Sequence, residues 1–143
     1  MNLATTLLRK LRPLSPAERV QIQEYRGAVR PAISRACTVR DAWLDAVLIE
    51  READRLANAA SVYRWELARL AQTLDAMEPP RRVVRLHDQL HSAVFDTSRA
   101  CQSLANGHRF YNSDAVCDGQ ALLIDAVDRV HRLAQDLDTL LAD

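Results

Sequence analysis

The chain has 143 residues, enough for one domain on the usual scale of roughly 100–200 residues. Its 19 basic and 19 acidic side chains cancel, which removes the overall cationic field of a general polyanion binder. Apolar residues make up 48%, and with 3 Gly and 5 Pro there are few places to turn. No window alternates β-branched and aromatic residues with period two. The class expected is therefore all-α: an elongated antiparallel helical bundle with one long heptad-patterned helix at about 32–77 and a C-terminal hairpin of helices at about 81–106 and 114–141.

Residues 1–14 form an N-terminal basic amphipathic segment, with Leu3, Leu7, Leu8 and Leu11 among Arg9, Lys10 and Arg12. The apolar stretch is too short for a membrane span or a secretory signal. It suits a small capping helix, or one that lies on an anionic membrane surface. A helical arm follows over 15–78. Ser15-Pro16-Ala17-Glu18 is a capping box with proline at the first helical position, and the apolar face continues through Val20, Ile22, Tyr25 and Val29. Gly27 and Pro31 then interrupt the pattern. A glycine stop followed by a proline start predicts a break there, while a glycine four residues before a proline also suits a continuous, kinked helix.

From residue 32 to 77 there is no Gly or Pro. Val39, Ala42, Ala46, Ile49, Ala53, Leu56, Ala60, Tyr63, Leu67, Leu70, Leu74 and Met77 alternate spacings of three and four, a sustained coiled-coil-type signal. As one rod, these 46 residues would reach about 69 Å. That exceeds a compact domain of this size, so the helix either bends near residues 58–61 or projects toward a partner. The first half of the stripe is small and the second large. The second half is expected to join the C-terminal hairpin (79–143) in a three-helix core, and the first to pack on residues 16–30 or on another subunit. Trp43 and Trp65 flank the stripe, where a wide core would bury both.

Glu78-Pro79-Pro80 forces a turn. The next helix carries Val83, His87, Leu90, Val94, Thr97, Cys101 and Leu104 inward and is expected to stop at Gly107. A loop with an aromatic tip, Phe110 and Tyr111, leads to Ser113 or Asp114 as the cap of the last helix.

Two Asp-x-x-His motifs, Asp88–His91 and Asp128–His131, face each other if the hairpin folds about residues 109–110. They have a structural use as interhelical hydrogen-bond partners. Their other use is as candidate ligands, with His87 and Glu66, for a divalent transition metal. Ferritin-like dinuclear sites employ two Glu-x-x-His motifs and two further Glu. This chain departs from that pattern in having the shorter Asp and one plausible third-helix carboxylate, so no cofactor is assigned. Cys37, Cys101 and Cys117 make neither a zinc spacing nor a paired disulfide set. The isolated glycines make no phosphate loop.

Residues 1–40 carry eight Lys/Arg against two Glu, and residues 41–78 four against eight. The basic head, including Arg19, Arg26 and Arg30, is expected to pair with the chain's own acids, or else to form an interface with an anionic partner. No aromatic interleaving or motif points to nucleic acid. The function expected is a non-enzymatic, cytoplasmic interaction or scaffold protein that forms homo-oligomers through the long helix at Ala42, Trp43, Ala46, Ile49 and Ala53. The alternatives are a ligand- or metal-binding bundle at His87, Asp88, His91, Asp128 and His131, and a protein peripheral to a membrane.

Overall fold

The computed structural model describes residues 13–142. Among the described residues four α-helices follow one another: α1 Pro16–Ile49, α2 Ala53–Asp75, α3 Val84–Arg109 and α4 Ser113–Leu140, with a 3₁₀ turn at Arg81–Val83 before α3. No strand occurs among the described residues. The all-α antiparallel bundle and its C-terminal hairpin are as the sequence predicts.

The helical arm is divided differently from the expectation. α1 begins at the capping box, where Ser15 Oγ accepts from Glu18 N at 3.1 Å and Glu18 Oε1 accepts from Ser15 N at 3.2 Å. It then continues through Pro31, so Gly27 and Pro31 do not break it. Pro31 removes one backbone donor and crowds the carbonyl four residues back. Gly27 occupies that position, exposed and with open space where a Cβ would be. The stronger constraint is burial. Ile22, Tyr25, Val29, Ala32, Ala36, Val39 and Trp43 recur at three and four residues on both sides of the proline, and all are buried. Breaking the helix would expose half of that face.

The turn comes instead at residues 50–52, where Glu50 (ψ 125) and Glu52 (ψ 118) are extended. No Gly or Pro marks this place. What does is charge: α1 has no basic residue in its last turn, whereas Glu52 and Asp54 stand at the start of α2, where the positive end of a helix dipole favours acids. Two helices of 34 and 23 residues replace the rod of about 69 Å by lengths of about 51 and 35 Å. Because residues 16–30 continue into the first half of the stripe, they do not fold back on it.

The helices run up, down, up, down. Arg19 Nη1 donates to Leu141 O at 3.0 Å, Arg26 pairs with Asp138 at 3.3 Å and Arg40 with Asp128 at 3.5 Å, so α1 and α4 are antiparallel. Arg35 pairs with Glu66 of α2, while Tyr25 meets His87 of α3 at one end and Trp43 meets His108 at the other. α3 lies diagonally across from α1 and packs most closely against both α2 and α4. Small residues permit that approach: Ala57, Ala60 and Ala71 on α2, Ala93, Ala100 and Ala105 on α3, and Gly119 on α4 are all buried. A Cβ at Gly119 would stand 3.0 Å from Leu104 Cγ.

The stripe predicted to form a rod is largely covered by its own chain. Val39, Leu56, Ala60, Leu67 and Leu74 are buried, Ala42, Ala46, Ala53, Tyr63, Leu70 and Met77 are part-buried, and Ile49 stands out in solvent. α3 and α4 supply the cover, since Leu90, Val94, Leu104, Leu123, Val127, Val130 and Leu137 enter the same core. No helix among the described residues is long and apolar enough to cross a membrane.

Candidate functional site

The Asp-x-x-His motifs are not brought together. Asp96 of α3 bonds Arg129 of α4 at 2.7 Å. With Gly119 of α4 packed on Leu104 of α3, Asp88 is level with about residue 135, four residues and about 6 Å beyond His131. The hairpin turns about residues 111–112 rather than 109–110, because α3 continues through Gly107 to Arg109. Asp128 is drawn to Arg40 of α1, and His131 lies exposed with its Nε2 3.2 Å from Gln135 Nε2. Among the described residues no three His, Cys, Asp or Glu converge as a metal site. The level assignment, the basis of the metal set His87, Asp88, His91, Asp128 and His131, is thus corrected.

His87 has a structural partner on each side. Its Nε2 is 2.8 Å from Leu74 O and its Nδ1 is 2.8 Å from Tyr25 Oη. A carbonyl oxygen only accepts, so Nε2 carries the proton and Nδ1 accepts from the Tyr25 hydroxyl. Burial, reinforced by the charge of Asp88, holds the Tyr25 phenol above its ordinary pKa, which keeps it a donor. This chain of bonds ties α1, α2 and α3 together at the end where α2 stops.

Between α3 and α4 a cleft of about 460 Å³ is lined by Asp88, Gln89, Ser92, Arg129, Arg132, Leu133 and Asp136. Its charges are mixed, and Arg129 is held to the rim by Asp96 and Asp125. Burial works against the Cys101 and Cys37 thiols as nucleophiles. Cys101 is buried and its pKa is pushed up to about 12 by that burial, and burial likewise raises Cys37.

The other end of the bundle has a different character. The 50–52 turn and the 110–112 turn are both at this end, beyond the Trp43 and His108 rings, which are 5.5 Å apart. Leu48 is 84% exposed, Ile49 80%, Phe110 70% and Tyr111 82%. Four large apolar side chains exposed at one end of the bundle are surface that a monomer has no internal use for. Tyr111 has φ 53, a left-handed conformation costing a non-glycine residue about 1–2 kcal/mol. Strain of that kind collects at binding and switch sites. Phe110 and Tyr111 are legible in the sequence as an aromatic tip and Ile49 as a stripe residue. Leu48 is off the stripe and becomes visible only once α1 ends beside it.

The other residues expected at an interface are placed as follows. Trp43 is buried at 1% exposure within the chain's own core, whereas Trp65, expected to be buried as well, is 62% exposed. Arg19 and Arg26 bind α4 and its end, and Arg30 is exposed beside a smaller cleft between α1 and α4. The membrane-surface expectation rests on residues 1–12, outside the described residues.

Beneath the apolar end, the Trp43 Nε1 and His108 Nε2 atoms are buried without a hydrogen-bond partner. Burial lowers the pKa of His108. The unfolded chain then binds more protons than the folded one below the ordinary histidine pKa of about 6.5, so stability falls as pH drops through that value. Urea midpoints at pH 7.5 and 5.5 should differ in the native protein, and His108→Phe should narrow the difference. An unchanged difference would remove His108 as the cause.

Comparison with protein-family models, with curated proteins and with solved structures finds no match to this chain.

Proposed function

We propose that the protein is a non-enzymatic helical interaction protein that self-associates through the end of its bundle where α1 meets α2. The observation that carries this reading is the exposure of Leu48, Ile49, Phe110 and Tyr111 at the same end of the bundle. The reading keeps the expectation of self-association by the helical arm and moves the contact from the heptad stripe to the point where that stripe emerges at Ile49. Burying such side chains supplies roughly 1.5–3 kcal/mol each, the term that opposes the entropic cost of association.

Tyr111→Gly separates stability from association. Glycine adopts φ 53 without the Cβ clash, so the variant should melt higher in dilute solution, by about 1 kcal/mol of stability. It also loses an exposed aromatic contact, and its mass by light scattering at micromolar concentration should fall toward 16.1 kDa. A variant as associated as the native protein would refute the assignment of this end as the contact.

A further inference from the structure

A second exposed apolar surface lies on the flank of the bundle. Ser98 Oγ of α3 donates to Arg64 O of α2 at 3.0 Å, which sets the two helices level at that point. Trp65 is 62% exposed beside it, Phe95 lies on the outer side of α3 at 48% exposure, and Arg99 follows one turn later. The Arg64 guanidinium carbon is 4.6 Å from the Trp65 ring centroid, so a cation lies over the indole face. Arg64 and Arg69 form no ion pair with any described residue, and the nearby Asp96 is drawn to Arg129 at 2.7 Å. Exposed Trp framed by Arg is the composition that dominates binding energy at protein interfaces.

The apolar end has the opposite charge. Around Leu48, Ile49, Phe110 and Tyr111, the acids Asp45, Glu50, Glu52, Asp54 and Asp114 outnumber Arg51, Arg55 and Arg109, and Arg55 is already bonded to Glu50 and Glu52. Two such ends meeting face to face would bring acidic rim against acidic rim, which is unfavourable. Arg64 lies eleven residues into α2, about 16 Å from that end, so the two patches of one molecule do not meet each other.

We infer that the acidic apolar end of one copy seats on the Arg64–Trp65 flank of a second copy. This inference rests on the self-association reading and specifies its geometry. The two patches are different surfaces, so the contact is head-to-side: every added copy presents a new free end and a new free flank, and assembly continues into chains or closes into a ring.

The test uses two variants of the full chain, Ile49→Lys at the end and Trp65→Ser on the flank. Both positions are exposed, and circular dichroism melting verifies that each variant folds; Phe110→Ser replaces Ile49→Lys if the latter does not. Sedimentation at micromolar concentration should show native protein in species larger than a dimer and each variant alone at 16.1 kDa. An equimolar mixture should form a one-to-one pair of twice that mass and nothing larger, because one good end meets one good flank. If Trp65→Ser assembles like the native protein and the mixture gains nothing, the head-to-side contact is overturned while self-association stands. If the native protein is itself monomeric, both readings fall.

Discussion

Trp43→Ala is expected to cost about 3–5 kcal/mol, the range for removing a large aromatic side chain from a closed core. Trp43 is the bulkiest of the fully buried side chains, at 1% exposure, and it holds the C-terminal half of α1 on the bundle beside His108. α1 has fewer close approaches to its neighbours than α3 has, so little else at that end would replace the lost contact. Trp43→Phe should behave quite differently. It retains much of the ring volume and removes an indole N–H that is buried without a partner, and since an unsatisfied buried donor carries a penalty of about 1–3 kcal/mol, the two effects oppose each other. Urea unfolding should therefore place Trp43→Phe within about 1 kcal/mol of the native protein, in line with volume-conserving core exchanges. Equal losses for both variants would mean that the indole nitrogen is satisfied in solution.

Gly107→Ala should destabilise by about 1–3 kcal/mol, the usual cost of forcing atoms into a filled space, although alanine is the better helix former. A Cβ there would lie 2.7 Å from Val116 Cγ2, 2.9 Å from Val116 N and 3.1 Å from Asn112 O. Two of the three obstacles are backbone, which no rotamer change relieves. Asn112 N also donates to Gly107 O at 2.8 Å, so the same residue closes the turn that displays Phe110 and Tyr111. Thermal melting should show the loss, and association should weaken with it. A variant as stable as the native protein would show that the start of α4 can shift at no cost.

The close approach at Gly107 also explains a limit of the sequence reading. A glycine near the end of an apolar pattern resembles a stop signal, yet Gly107 is buried inside α3 because α4 needs the room. Moving that boundary by two or three residues changes which side chains are level across the hairpin, and with it the whole Asp-x-x-His alignment. Elsewhere, spacing alone was sufficient. The hairpin helices, the capping box at Ser15 and the inward set of α3 follow from periodicity and caps that act within a few residues. The heptad stripe was equally legible as a buried face, since one helix facing a bundle and one facing a partner present the same spacing. What covers the stripe depends on where α1 turns, and the marker at residues 50–52 is an arrangement of charges rather than a Gly or Pro. For the same reason Trp43 and Trp65 look alike in sequence and differ in space: α3 and α4 cover one side of the folded arm and leave the other open.

Hydroxyl-radical footprinting at low and high protein concentration tests the central claim most directly, because it reads each side chain separately. Leu48, Phe110 and Tyr111 should react readily in dilute solution and become protected as concentration rises, while Trp43, Leu67 and Leu74 should be unreactive throughout. Reactive Trp43, Leu67 and Leu74 in dilute solution, protected only on concentration, would mean that the stripe is covered by another molecule and not by its own chain.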